Sequence, residues 1–231
     1  MDISGPKPIV SVIIPARNEG LHIGGVLSEM PKNNYEAIVV DDGSDDDTVE
    51  VARGYNVKIL LNARTLGKAA TLKRGLGVAS GDVIVFIDGD GQHDSSKIPK
   101  LIKPIIEGST SVVFGNRFHK GYAGTPYIRI ISNYLSRLAI NFITGRDIPD
   151  PLCGFRAFRK EKIRGMDFGK GYGVEINVLF NLIENDEPII NAPVPLIYES
   201  NESSIKFFDN VKLVLLMVYR ISRYVCRKIW R

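Results

Sequence analysis

Short apolar runs and longer mixed stretches alternate through the first half of the chain. Ile9 to Ile14, Ala37 to Val40, Val57 to Leu61, Val83 to Ile87 and Ser111 to Phe114 each read as a strand. The stretches near 20–30, 46–54, 67–79 and 95–107 are polar enough and long enough for helices. Near-continuous apolar strands separated by helices predict an α/β fold, with a parallel sheet covered on both faces. After residue 115 the pattern changes. Ile128, Ile131, Leu135, Leu138 and Phe142 recur at helical spacing, while Arg129, Ser132, Asn133, Ser136 and Arg137 occupy other faces. Pro188, Pro193 and Pro195 predict an extended return strand near a sheet edge over 188–198. A polar loop over 199–206 then leads into a helix from Asp209 to Trp230.

The chain of 231 residues suits one domain with a sizeable core and a small appendage. Cys153 and Cys226 lie far apart in no zinc spacing, which predicts two reduced thiols. The first residues lack the basic and apolar regions of a secretory signal. No uninterrupted apolar span is long enough to cross a bilayer. The net charge of +4 is unevenly placed: Lys212, Arg220, Arg223, Arg227, Lys228 and Arg231 fall in the last 21 residues with no acid among them. The preceding 210 residues are slightly acidic. A basic tail suits an anionic surface, but the acidic body carries no recognisable nucleic-acid-binding fold, so no nucleic-acid partner is expected.

Asp88-Gly89-Asp90-Gly91-Gln92-His93-Asp94 follows the run Val83 to Ile87 directly. Two carboxylates one residue apart thus arrive at the carboxyl end of a strand, where open α/β sheets bind ligands. Two carboxylates are also the usual protein share of a Mg²⁺ site, with substrate phosphates and water completing the shell. Gln92 adds an oxygen donor. An EF-hand is excluded, because His93 stands where that loop needs Gly and Pro99 where it needs Glu. Neither a Walker A pattern nor a Rossmann glycine fingerprint is present. Two other strand ends carry candidates. Pro15-Ala16-Arg17-Asn18-Glu19 follows the first strand, as a nucleotide-facing loop or as a plain turn with Asn18 capping a helix. Asp41-Asp42-Gly43-Ser44 ends the second; an acid there can bind a ribose or a base edge, while Asp45, Asp46 and Asp47 suit the next helix N-terminus. Lys68, in Leu66-Gly67-Lys68-Ala69-Ala70, either meets phosphate or is solvated.

Taken in order, these segments, with Gly115-Asn116-Arg117 and Asp150-Pro151-Leu152-Cys153-Gly154-Phe155-Arg156, resemble family 2 glycosyltransferases of the GT-A fold. The nearest flavour is the dolichol-phosphate mannose synthase and polyprenyl-phosphate glycosyltransferase group. The resemblance spans roughly residues 9–206, which become the expected catalytic domain, with 207–231 as a basic amphipathic C-terminal helix. It implies a Rossmann-like, mostly parallel central sheet flanked by helices. It also implies roles. Pro15, Arg17, Glu19 and Asp42 would line the nucleoside pocket, with Lys68 and Asp88 also on the nucleotide. Asp88, Asp90 and Gln92 would hold Mg²⁺ or Mn²⁺ on the diphosphate. Arg117, Arg129 and Ser132 would meet an acceptor phosphate. Asp150 and Arg156 sit in the acceptor-side motif, and Glu175 matches a recurrent acid in the following helix. The chain departs from the family at Arg17, often an aromatic, and over 198–206, where the arginine that usually precedes a Ser-Lys pair is missing and Lys206 is left to substitute.

The resulting expectation is a metal-dependent, inverting transfer of a hexose, mannose from GDP-mannose first, to a polyprenyl or dolichyl phosphate. Asp90, Arg117 and Asp150 are the residues expected nearest the chemistry. Two alternatives stay open: transfer to a saccharide hydroxyl with Asp150 as base, and a non-catalytic nucleotide-sugar-binding or scaffold subunit. In the tail helix Lys212, Arg220, Arg223 and Arg227 share a stripe, opposite Val214, Met217, Val218, Ile221, Val225 and Ile229. That composition fits a helix lying in a membrane surface, or one packed on the domain with a solvated basic face. The expected location is peripheral, at the cytoplasmic face of a membrane. An anchoring partner subunit would be a second route there.

Overall fold

The computed structural model describes residues 10–120, 125, 127–169, 173–197 and 207–229. Seven strands form one sheet: β1 (Val10–Ala16), β2 (Tyr35–Asp41), β3 (Lys58–Leu61), β4 (Val83–Phe86), β5 (Val112–Asn116), β6 (Arg156–Arg159) and β7 (Ile190–Pro193). Their order across the sheet is β3-β2-β1-β4-β6-β5-β7. All neighbours run parallel except β6, which is antiparallel to both β4 and β5. The helices are α1 (Gly20–Ser28), α2 (Thr48–Arg53), α3 (Lys68–Val78), α4 (Ile98–Ile106), α5 (Tyr127–Thr144), α6 (Lys160–Ile163), α7 (Val174–Glu184) and α8 (Phe207–Ile229).

Side chains alternate across a strand, so each apolar strand feeds two cores. Val12 and Ile14 of β1 join Ile23, Val26 and Leu27 of α1 and Leu101 and Ile105 of α4 on one face. Ile13, between them, joins Leu72 of α3 and Val178, Leu179 and Leu182 of α7 on the other. The five strands read from apolar runs all form, and the Pro-bearing return segment is the edge strand β7. The strand β6 was not foreseen. Its sequence Arg156-Ala157-Phe158-Arg159 looks polar, yet it sits centrally with Arg156 fully buried.

At the amino end of the sheet a buried carboxylate ties four segments. Glu36 of β2 accepts from Ser11 Oγ of β1, from Ser80 N and Oγ, and from Lys58 Nζ of β3. Burial alone would raise its pKa, but the hydrogen bonds from Lys58, Ser11 and Ser80 outweigh burial and hold the carboxyl at about 2. Because the folded value lies below the ordinary 4.5, Glu36 stabilises the fold above pH 4.5 and loses that contribution as pH falls toward 2. Melting wild type and Glu36→Gln side by side should therefore show the wild type's advantage narrowing steadily between those two pH values.

Two helices turn unexpected faces inward. In α5 the buried positions are Asn133, Ser136, Ile140 and Thr144, mostly small or polar, while Tyr127, Ile131, Tyr134, Leu135, Leu138 and Phe142 point outward. Tyr127 and Phe142 are 86% and 91% exposed, so the apolar stripe of this helix is its outer face. In α8, Met217 and Arg220 are buried against the domain, and Leu216, Ile221 and Tyr224 pack on the second core. Arg220 lies 3.5 Å from Glu184 of α7, donates to Asn181 and stacks over Phe180, and Arg227 also pairs with Glu184. The basic stripe read from the sequence is thus partly turned onto the domain, because α7 supplies a carboxylate to meet it. Leu215, Val218 and Tyr219 face out. Among the described residues no helix is long and apolar enough to cross a membrane.

Candidate active site

The loops after β1, β2 and β4 meet at the carboxyl end of the sheet. Those after β1 and β2 are zipped together. Asn18, at φ 56°, donates its N–H to Ser44 Oγ (2.9 Å) and its Oδ1 accepts from Asp45 N (2.9 Å). Glu19 N donates to Thr48 Oγ1 and Gly20 N to Asp46 Oδ2. Asn18 therefore bridges two loops rather than capping α1, whereas Asp46 also accepts from Thr48 N at the start of α2. Pro15 is half-buried in β1 and Arg17 is exposed on the rim.

Asp42 is buried and its oxygens accept from Asn62 Nδ2 (2.7 Å), Leu66 N (2.8 Å) and Gly67 N (2.8 Å). Its carboxylate thus shapes the loop that delivers Lys68. Asp41 accepts from Gly43 N and Ser44 N, a turn that Gly43 makes at φ 75°.

Beyond β4, Asp90 Oδ1 accepts from Gln92 N (3.1 Å). Gln92 O accepts from Ile197 N, and His93 bridges Leu196, so the acidic loop is pinned to the segment after β7. Glu19 faces this loop. Burial first, then the charges of Asp90, Asp88 and Asp46, push its pKa up to about 7. The carboxylates here are crowded.

Lys68 Nζ, at the start of α3, lies 2.6 Å from Asp88 Oδ1 and 2.7 Å from Glu175 Oε1 of α7. Burial would lower its pKa, but the two carboxylates raise it, so the lysine stays charged. Gly154 backs this group. A Cβ there would fall 2.4 Å from Asp88 Oδ2, so only glycine fits without displacing that carboxylate. Arg156 holds the surrounding chain: its guanidinium donates to the carbonyls of Pro151, Cys153 and Glu175, each at 2.8 Å, and stacks 3.8 Å over Phe114. It staples the 150–154 loop to the start of α7.

Asp150 is 1% exposed. Its Oδ2 accepts from Arg117 Nε (2.7 Å) and Arg117 N (3.1 Å). Its Oδ1 accepts from Arg117 Nη2 (2.9 Å) and Asn133 Nδ2 (2.7 Å). His93 lies next to this pair with its ring on Phe155. Burial first, then the positive charges of Arg117 and Lys68, press its pKa down to about 3 against the pull of Asp150, so it is a neutral wall. Ser132 is half-buried on α5 one residue before Asn133. The Arg129 side chain and Lys206 lie outside the described residues, as does Trp230.

The sequence reading missed the Lys68–Asp88–Glu175 cluster and the role of Asn133. For Asn133 a signal existed: Asn133 and Ser136 sit one turn apart on the side of α5 away from its apolar stripe, the side that packs inward.

A mostly parallel sheet with acidic loops at its carboxyl end and an antiparallel strand wedged beside β4 is the architecture of the GT-A fold. The chain belongs to glycosyl transferase family 2, whose model matches residues 11–166. It is 38% identical to the dolichol-phosphate mannosyltransferase of Pyrococcus furiosus over 185 residues, covering 74% of this chain and 52% of that enzyme. The chain thus spans about half the length of that relative. An uncharacterised protein of Methanocaldococcus jannaschii is 32% identical over 229 residues, covering 92% of this chain and 97% of that one. The UDP-N-acetylglucosamine–dolichyl-phosphate N-acetylglucosaminyltransferase of Methanococcus voltae is 28% identical, covering 92% and 94%. Among solved structures, the glucosyl-3-phosphoglycerate synthase of Mycobacterium tuberculosis in complex with Mn²⁺, UDP-glucose and phosphoglyceric acid superposes with a TM-score of 0.76 at 25% identity, covering 93% of this chain and 80% of that one.

Proposed function

We propose that this glycosyltransferase moves a hexose, with inversion, from a nucleotide sugar to a polyprenyl or dolichyl phosphate at a membrane surface. The observation that carries the acceptor class is the state of Asp150. A hydroxyl acceptor needs a carboxylate base within reach. Asp150, the candidate for that task, is buried with four donors on its two oxygens. A phosphate monoester needs no base, since its second pKa is about 6 and it is mostly ionised at neutral pH. It needs cations that hold it in line. Arg117, set in a fork by Asp150, is the first of these, and Arg129, Ser132 and Lys206 complete the assignment. Relatives named for dolichyl-phosphate acceptors support the same class.

On the donor side, Pro15, Arg17 and Glu19 line the nucleoside pocket, Asp42 fixes its wall, and Lys68 and Asp88 stand at the diphosphate. Asp88, Asp90 and Gln92 would hold Mg²⁺ or Mn²⁺. The donor set fits: all three offer hard oxygen ligands. Among the described residues no three His, Cys, Asp or Glu side chains are close enough to hold an ion unaided. Asp90, Asp88 and Asp46, whose charges add to burial in raising Glu19, gather at the same place. When bound, the ion would stabilise the negative charge that builds on the leaving diphosphate.

Membrane attachment rests on α5. An outward stripe with two tyrosines and a phenylalanine suits the headgroup boundary, where amphipathic rings anchor. The exposed Leu215, Val218 and Tyr219 of α8 extend it. The proposed location is peripheral, on the cytoplasmic face, with or without an anchoring subunit. GDP-mannose is the first donor to test, and UDP-glucose and UDP-N-acetylglucosamine follow.

The test is an organic-extraction assay with Mn²⁺, dolichyl phosphate in detergent and each labelled donor in turn. Label in the organic phase is the expected result and names the sugar. Metal-dependent release of nucleotide on adding oligosaccharides, with no lipid label, would replace the phosphate acceptor by a hydroxyl.

A further inference from the structure

We propose that Lys68 is a resident cation of the metal site, which occupies Asp88 in the free protein and withdraws onto Glu175 when a divalent ion binds. The inference rests on the reading above that Asp88 and Asp90 hold that ion. Three observations lead to it.

First, Asp88 is engaged on both sides. Its Oδ1 is 2.6 Å from Lys68 Nζ, and its Oδ2 backs onto Gly154, where a Cβ would fall 2.4 Å away. A dication that takes Asp88 must meet an ammonium already on that carboxylate, and like charges at such range repel strongly in a half-buried site.

Second, Lys68 has another acceptor in place. Glu175 Oε1 is 2.7 Å from the same nitrogen, and the Glu175 side chain is only 13% exposed. The backbone of Glu175 is fixed by Arg156, which donates to its carbonyl. The ammonium can therefore leave Asp88 without losing all compensation, which an isolated buried lysine could not do.

Third, the move is short. The same Lys68 nitrogen is already within hydrogen-bond distance of both carboxylates, and a small, mostly apolar cavity lined by Lys68, Leu72, Phe86, Gly154, Glu175 and Val178 lies beside the pair.

In this arrangement the positive charge beside Asp88 is never absent, only exchanged. The free enzyme avoids an unbalanced carboxylate at the site, and ion binding is weakened until the diphosphate adds its own ligands. Glu175 is then a positioning residue, acting through Lys68 rather than on the substrate.

The experiment is Mn²⁺ binding to the full chain without nucleotide, read by the electron paramagnetic resonance signal of free Mn²⁺. Lys68→Met removes the competitor and should tighten binding on the order of tenfold. Glu175→Gln leaves Lys68 on Asp88 and should weaken it. A double-mutant cycle separates this from general electrostatics. If Glu175 acts only through Lys68, Glu175→Gln is silent in the Lys68→Met background. An equal weakening in both backgrounds, or Lys68→Met binding Mn²⁺ no better than wild type, overturns the proposal. If Lys68→Met does not fold, Lys68→Gln answers the same question, and Lys68→Arg should keep the wild-type affinity. Should Asp90→Asn leave Mn²⁺ binding unchanged, the metal assignment itself fails, an outcome distinct from failure of the exchange.

Discussion

Asp150→Asn should cost the protein about 3–5 kcal/mol of stability, because it removes the carboxylate that meets the Arg117 guanidinium at two points in a nearly closed site. The Arg117 side chain is 12% exposed and that of Asp150 is fully buried, so water cannot make good the loss. The asparagine keeps the shape and can accept one hydrogen bond, but an amide nitrogen would face either Arg117 or Asn133, both donors. For a chain of this size such a loss lowers the melting temperature by roughly 6–20 °C. Differential scanning calorimetry checks it. The same variant decides the role of Asp150 in the reaction. Assayed well below its melting temperature, it should show its defect chiefly as a raised KM for the lipid phosphate, since a misplaced Arg117 binds the acceptor poorly. A loss of kcat with unchanged KM, shrinking at low pH where the wild-type carboxylate would itself be protonated, would instead mark Asp150 as a base.

Asp90→Asn is expected to lower kcat on the order of 10²–10³-fold, the usual scale for removing one electrostatic contact to developing charge. The turn that Asp90 closes should persist. Asp90 is half-buried on a loop, where its Oδ1 accepts from Gln92 N, a bond that an asparagine oxygen can keep. Steady-state kinetics at saturating donor, together with a melt, separate the two effects. Near-wild-type turnover would remove Asp90 from the chemistry.

Much of the fold was legible because its strands are apolar on both faces, which only a doubly covered sheet demands. Val12-Ile13-Ile14 and Val83-Ile84-Val85-Phe86 announce themselves in that way. Strand β6 did not, because its stability comes from placement. Arg156 is tolerated in the sheet only because three carbonyls and the Phe114 ring surround its charge, and those partners come from distant segments. The two acidic strand ends were visible as motifs. The partners of Lys68 and Asp150 were not, since Glu175 and Asn133 reach them across 107 and 17 residues. Helical periodicity located α5 and α8 but could not say which face would meet the domain. That was decided by what α7 and the 150–154 loop offered: Glu184 for Arg220, and Asp150 for Asn133.

The position of β6 also governs how the chain can be made. Strands β1 to β4 complete their mutual pairing within the first 86 residues, but the free edge of β4 waits for Arg156–Arg159. Strand β5 emerges earlier and cannot close that edge, because its own partner in the sheet is β6. During synthesis an unpaired, fully apolar β4 edge is therefore exposed for on the order of ten seconds. Chains that stop in that interval carry a ready template for strand addition by another molecule. Premature termination before Arg156 should thus yield aggregates rather than a soluble half-domain, and only a chain that extends past Arg159 has a closed sheet centre.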